Sequence, residues 1–278
     1  MQIVKSALEE WQPVQIVLLF SGGYDSMVMC DALKNEEFDV PVSTYAIDTN
    51  LSADGWTDYV RDVANELQFP DFDIYNNDHG FAEFVKWVTA HGCPRTRQAH
   101  TRCYARLKER AIMAILKKYK MQRSDKVLFL SGLRKYESAH RSKLTEPVQR
   151  LGKSCAIFAN PLFYWTDEDI AKYRITHDLP DNPFYSTVKG SGDCQCNWGN
   201  FITIGTLKKY SPSLASGNVG ILDEISKKHH GYGWDGTNVA QLELFDTENL
   251  DTPFLCTSCS RSNKIESIEQ TMLQRGIF

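Results

Sequence analysis

Apolar residues fall in short runs separated by longer mixed stretches. Residues 16–20, 42–47, 73–75 and 127–130 are nearly continuous in apolar or β-branched side chains, and each run stops at a polar or glycine-bearing turn. Runs this short and this apolar predict strands covered on both faces. Between them, residues 26–34, 56–67, 81–89 and 104–120 carry apolar positions at helical spacing. Residues 166–177 predict another helix, with Thr166 and Asp169 at capping-box spacing. Strand and helix in alternation predict an α/β fold, Rossmann-like, with a parallel sheet and helices on both faces.

After Pro180 the pattern changes. Asn182-Pro183, the glycine-rich residues 189–193 and residues 211–217 read as loops. The expected organisation is a nucleotide-binding α/β domain over residues 1–180 and an irregular, cysteine-containing module over 181–278.

Ligands of open parallel sheets bind at the carboxyl ends of strands. The unusual residues sit there: Ser21-Gly22-Gly23 after the first strand, Asp48 after the second, and Gly132-Leu133-Arg134 after the fourth. In Ser21-Gly22-Gly23-Tyr24-Asp25-Ser26 the glycines admit an anion close to the backbone, and the following helix adds its positive end. Ser21 and Ser26 add hydroxyl donors. The loop lacks the Lys-Ser or Lys-Thr of a Walker loop and the spacing of a dinucleotide turn. Arg134 and Arg141, with Glu137 between them, suggest a guanidinium clamp for phosphate or sulfate.

The net charge of −4 excludes a general polyanion-binding surface and confines any such case to a local patch. Residues 95–123 hold ten Lys and Arg against one acid, Glu109, and form that patch: a candidate site for nucleotide phosphates or a nucleic-acid backbone. No apolar run approaches the ~18 residues of a spanning helix, and the first residues lack a secretory pattern. A cytoplasmic chain with no membrane partner is therefore expected. Its eight cysteines are then expected to serve metal or core rather than disulfides. Cys194-Gln195-Cys196 and Cys256-Thr257-Ser258-Cys259 are the close pairs, suited to a zinc ion or an iron–sulfur cluster. Cys30 and Cys155 read as core or bystander residues.

Four ordered motifs carry a family resemblance. Ser-Gly-Gly-x-Asp-Ser at 21–26 resembles the phosphate loop of the PP-loop ATP pyrophosphatase superfamily. Gly132-Leu133-Arg134-Lys135-Tyr136-Glu137-Ser138-Ala139-His140-Arg141 resembles the G-x-R-x-x-E-S-x-x-R motif of its phosphoadenosine phosphosulfate reductase branch. Arg102 to Lys108, Asn160 to Thr166 and Leu179 to Tyr185 resemble further segments of that branch, in the same order. The pattern is closest to reductase-like proteins of DNA phosphorothioation and of phages. Tyr24 departs from the lysine usual in the loop and removes one cation from the expected cradle. The chain also ends without a cysteine after Cys259, which argues against a simple thiol reductase.

The resemblance implies an enzyme that binds ATP with Mg²⁺, releases pyrophosphate and adenylates an acceptor for sulfur transfer, with a sulfur-donor protein as a further partner. It implies Ser21, Gly22, Gly23, Asp25, Ser26, Asp48, Gly132, Arg134, Glu137, Ser138 and Arg141 at the nucleotide. Asp25, Lys108, Arg134 and Arg141 are the implied catalytic groups. It places Cys103 with Cys194, Cys196, Cys256 and Cys259 around a 4Fe-4S cluster, with Zn²⁺ as the alternative. Two other readings stay open: a sulfonucleotide reductase, and a non-catalytic nucleotide-sensing or DNA-binding subunit.

Overall fold

The structure is a computed structural model that describes residues 2–137, 146–188, 190–197, 202–236 and 262–276. Its centre is a six-stranded sheet in the order β3-β2-β1-β4-β6-β5. The strands are β1 Gln15–Leu19, β2 Val42–Asp48, β3 Phe72–Asn76, β4 Val127–Leu130, β5 Val148–Arg150 and β6 Ala156–Ala159. All neighbours run parallel except β5, which pairs antiparallel with β6 at the edge. The four strands expected from the apolar runs are present; β5, β6 and an N-terminal helix α1 (Gln2–Trp11) are additional.

Helices α2 (Tyr24–Leu33), α3 (Trp56–Glu66), α4 (Asp78–His91), α5 (Arg97–Tyr104), α6 (Arg110–Tyr119) and α7 (Asp167–Thr176) follow in order. Strand β1 shows why both sheet faces must be covered. Ile16 and Leu18 join the cluster of α1, α2, α3 and α7, whereas Val17 and Leu19 pack with Ile112, Ile115 and Leu116 of α6. Residues of alternating direction are therefore all apolar. The expected capping box opens α7: the Thr166 hydroxyl accepts from the Asp169 amide while the Asp169 carboxylate accepts from Thr166.

The stretch after Pro180, expected to be irregular, is largely helical where it is described. It forms α8 (Tyr185–Val188), α9 (Ile204–Tyr210), α10 (Pro212–Ser216), α11 (Asn218–His230) and α12 (Ser262–Arg275). Its glycines and prolines punctuate short helices: Pro212 begins α10, and Gly231 ends α11 in the left-handed conformation. Leu207, Leu214, Val219, Leu222 and Trp234 pack with Phe84, Val88 and Leu107 in a second cluster beside the sheet. Ile265 of α12 joins the cluster of α2 and α7. Among the described residues no helix is long and apolar enough to cross a membrane.

Strand order reverses direction between β1 and β4: β2 and β3 extend one way, and β6 and β5 the other. Such a switch point opens a crevice at the strand ends. The loops after β1 and β4, both singled out by the sequence, flank it.

Candidate functional site

The Ser21–Ser26 loop is held from behind by its carbonyl groups. Trp56 Nε1 donates to the Ser21 carbonyl at 3.2 Å, and Tyr59 Oη donates to the Gly22 carbonyl at 3.2 Å. Asn182 Nδ2 also donates to the Gly22 carbonyl, at 2.8 Å. In a trans peptide the N–H points opposite to the carbonyl. Fixing these carbonyls therefore turns the amides of Gly22 and Gly23 to the other side, where the Gly23 amide donates to Ser21 Oγ at 3.4 Å and an anion would meet amides and hydroxyl together. Gly22 has φ +79°, and a Cβ there would stand 3.1–3.2 Å from Tyr59, Trp56 and Val60. Glycine is needed by both the turn and the packing behind it.

The two loop hydroxyls face each other. Ser21 Oγ and Ser26 Oγ lie 3.1 Å apart, and Ser26 Oγ donates to the Gly23 carbonyl at 2.8 Å and accepts from the Ser21 amide at 3.1 Å. Helix α2 begins at Tyr24 with Gly23 as its cap and no side-chain capping bond. Tyr185 Oη accepts from the Tyr24 amide at 3.3 Å. The Asn-Pro-x-Tyr turn thus latches onto the loop through both Asn182 and Tyr185, roles the sequence motif did not reveal.

Tyr24 does not border the cradle. It is 1% exposed, donates to Glu266 of α12 at 2.8 Å and lies beneath the Arg174 guanidinium, whose Cζ is 3.5 Å from its ring centroid. Burial pushes its phenol well above the ordinary tyrosine range. The side chain at this position thus points under the loop, into the packing of α2, α7 and α12, and supplies no cation to the cradle.

Arg134 also differs from the expected ligand-facing clamp. Its side chain is 1% exposed; Nε stands 3.1 Å from Asp25 Oδ1, and another guanidinium nitrogen stands 3.0 Å from Asp167 Oδ1. Lys264 of α12 pairs with the second oxygen of Asp167. Burial is the largest influence on Asp167 and pushes its carboxyl up, but the bonds from Lys264 and Arg134 together hold it below the ordinary range. The resulting chain, Asp25–Arg134–Asp167–Lys264, ties the phosphate loop to α7 and α12. Gly132 makes that approach possible, because a Cβ there would lie 2.6–2.7 Å from the backbone of Asp25 and Ser26. Glu137 closes a short 3-10 turn. Its side chain, Ser138 and Arg141 lie outside the described residues.

Asp48 ends β2 beside the crevice; its Oδ1 accepts from the Asn50 amide and the Ser52 hydroxyl, both at 2.9 Å. Lys108 is mostly buried and pairs with Asp193 at 2.6 Å. Asp193 is a site residue that the sequence reading missed, since it stood only as the end of a glycine-rich loop. Ser191 Oγ donates to its second carboxylate oxygen at 2.7 Å, and Ser191 Cβ is 3.3 Å from where a Gly23 Cβ would stand. The pair thus borders the phosphate loop. Lys108 itself lies in a π-helical turn, Ala105–Glu109, between α5 and α6. Such turns recur at functional sites.

Phe84, His100, Cys103, Lys108, Cys194 and Cys196 share one cavity beside the Lys108–Asp193 pair. Three of the five expected metal ligands thus line one space. Among the described residues no group of three or more His, Cys, Asp or Glu converges closely enough to hold a metal ion. Cys256 and Cys259 lie outside those residues. Cys30 is buried in α2, as expected, and Cys93 is buried beside Ser226, with burial pushing its thiol up to about 11.

The family model described as the phosphoadenosine phosphosulfate reductase domain matches residues 15–212. An uncharacterised protein of Methanocaldococcus jannaschii is 28% identical over 224 residues, 79% of this chain and 44% of that protein. The chain spans less than half the length of this curated relative. Among solved structures, the phosphoadenylyl-sulfate reductase of Candida auris in a phosphate complex is 21% identical, with TM-score 0.47, over 66% of this chain and 82% of that one. The NMN synthetase of Francisella tularensis is 14% identical, with TM-score 0.47, over 90% and 95%.

Proposed function

The chain belongs to the phosphoadenosine phosphosulfate reductase domain family, and from that premise we propose that it binds ATP at the Ser21–Ser26 loop, releases pyrophosphate and adenylates an acceptor for sulfur transfer. Family membership supports nucleotide binding by a PP-loop domain. The observation that carries the finer reading is the loop held by its carbonyls: Trp56, Tyr59 and Asn182 fix the peptide planes so that the amide edge is preorganised for phosphate oxygens.

In the proposed reaction the acceptor nucleophile attacks the α phosphorus. The bond to the bridging α–β oxygen breaks, and pyrophosphate leaves with that electron pair. The Gly22 and Gly23 amides and the Ser21 and Ser26 hydroxyls hold the departing phosphates. Mg²⁺ brought with the nucleotide offsets their charge. Asp48 lies on the nucleoside side of the crevice. Arg134 acts through Asp25, as a positioning residue, and Lys108 is the cation nearest the loop from the cavity side. The thiols of Cys103, Cys194 and Cys196 face that cavity and favour sulfur chemistry there. No step is assigned to a metal cluster.

The same cavity favours a second reading, a sulfonucleotide reductase. Incubation with ATP and, separately, with adenylyl sulfate plus a dithiol reductant as the two-electron donor decides between them. Pyrophosphate release from ATP is expected; sulfite release from adenylyl sulfate without pyrophosphate formation from ATP supports the second reading. Failure to bind either nucleotide in calorimetry overturns both.

A further inference from the structure

The basic segment singled out in the sequence does not form one surface. Its second half turns toward the sheet: Lys118 donates to Tyr45, and Lys120 donates to the Arg123 carbonyl. Its first half lies elsewhere, against α4 and the end of α11. There Trp87 and His91 stack with centroids 5.0 Å apart and planes at 12°, and Phe84 continues the stack at 6.1 Å beneath Trp87. The Arg106 guanidinium lies over Trp87, 5.9 Å from the ring, and that of Arg95 lies over Tyr232 at 4.2 Å. Tyr232 Oη donates to the His91 carbonyl at 3.0 Å, joining the end of α11 to α4. Trp87, His91, Arg95, Arg102, Arg106 and Tyr232 thus make one continuous strip from three separate elements.

The strip concentrates like charge. Arg102, Arg106 and Arg110 follow one another a helical turn apart, a spacing at which like charges repel. Of these, Arg110 meets Glu83 at 3.7 Å, and Glu83 is already bonded to Lys86 at 2.8 Å. Burial, together with the neighbouring Arg110 and Arg102, lowers the Arg106 pKa. Among the described residues Arg95, Arg102 and Arg106 meet no carboxylate at ion-pair distance, and such guanidinium groups in a protein of net charge −4 gain most from an anionic partner with several charges. The interleaved rings narrow the choice. Phe84 and His91 take the two faces of Trp87, and Arg95 one face of Tyr232, so the faces left for stacking are the outer one of His91 and the second one of Tyr232; such faces beside arginine suit unpaired bases, whereas phosphates alone do not need them. A lipid surface would call for exposed apolar anchors, yet the large exposed apolar side chains among the described residues, such as Met121, Ile221 and Leu273, lie off the strip.

We infer that this strip is a binding surface for single-stranded nucleic acid, with Arg95, Arg102 and Arg106 on the backbone, His91 and Tyr232 as the base platform, and Trp87 as the support of the His91 ring. The strip adjoins the cysteine-lined cavity, which Phe84 of α4 and Cys103 of α5 help to line. The inference does not depend on the adenylation reading.

The test is fluorescence anisotropy of a fluorescein-labelled oligothymidine strand, titrated with the full chain over a salt series. Saturable binding is expected. Arg102→Ala with Arg106→Ala should weaken it at least about tenfold and reduce the log–log salt slope by about 1.4, the loss of two single-strand phosphate contacts. Lys117→Ala with Arg123→Ala, equal in charge but off the strip, should change it less than about threefold. Trp87→Leu should weaken binding about fivefold or more without altering the slope. If that variant fails to fold by circular dichroism, the two charge-removing pairs decide. Absence of saturable binding, equal losses in the two pairs, a neutral effect of folded Trp87→Leu, or preference for phosphatidylserine vesicles or duplex DNA over the single strand would overturn the inference.

Discussion

Gly132 lies so close to Asp25 that a Cβ on it would stand 2.6 Å from the Asp25 carbonyl carbon. The end of β4 and the first turn of α2 are therefore locked at backbone distance, across the crevice where strand order reverses. The neighbour is backbone and cannot swing aside. Gly132→Ala is expected to cost about 1–3 kcal/mol of stability, the usual range for overpacking. It should also displace the phosphate loop. Urea denaturation and calorimetry with ATP check both. A variant with wild-type stability and affinity would show that the approach is not needed.

Arg134 bridges Asp25 and Asp167 while buried. Removing it leaves two carboxylates without their shared cation, so Arg134→Ala should destabilise the fold by about 3–5 kcal/mol. Arg134→Lys keeps the charge but cannot reach both carboxylates with a planar fork, and should fall between alanine and wild type. A ligand-facing arginine would instead leave denaturation unchanged and alter only nucleotide affinity. Denaturant titration with and without ATP separates the two outcomes.

Tyr24 donates to Glu266 at 2.8 Å, across 242 residues of sequence. Tyr24→Phe and Glu266→Ala should each destabilise, and the double variant should lose less than their sum, because each removes the same bond. A coupling of about 0.5–3 kcal/mol in the double-mutant cycle is expected. Strict additivity would mean that α12 does not support the loop through this contact.

Glu269 of α12 meets Arg174 of α7 at 3.0 Å. Burial pushes its carboxyl up to about 7, against the attraction of Arg174 and aided by repulsion from Asp181 and Glu266. The folded chain then keeps a proton that the unfolded chain releases near the ordinary carboxylate pKa. Stability from this group is present at low pH and is lost as pH rises from about 4.5 to about 7. Glu269→Gln should match wild type near pH 4 and exceed it above about pH 7. Thermal melts across that range test this; parallel curves would sink the assignment.

The cysteine-lined cavity makes a measurable claim of its own. Protein purified without oxygen should contain iron or zinc, and Cys194→Ser or Cys196→Ser should lower it, since thiolate ligation couples metal to folding. Metal-free wild-type protein would remove the cluster from the reading.

Much of this fold was legible in local pattern. The apolar runs located four strands because both sheet faces are covered, and the change from strand to glycine-bearing turn located the phosphate loop. Thr166 and Asp169 announced the start of α7 because a capping box is a contact three residues long. The helices after Pro180 were less visible: they are short, and their glycines and prolines resemble those of loops. Strands β5 and β6 escaped because a three-residue edge and a four-residue run carry little periodicity.

The sequence by itself determined where strands β1 to β4 and helices α2, α3, α4, α6 and α7 lie, and which motifs stand at strand ends, since those follow from hydrophobic period, glycine and caps within a few residues. Tertiary structure alone decided what the motif side chains face. Arg134 could equally have met a ligand or two buried carboxylates; the packing of α7 and α12 supplied the carboxylates. Lys108 found Asp193, 85 residues away, only because the loop after α8 folds back over the phosphate loop. The basic segment became two surfaces because a run of charge does not say which side of a helix its neighbours cover. That choice rests on contacts between residues far apart in the chain, whose approach depends on the burial of the whole core rather than on the preferences of any one segment.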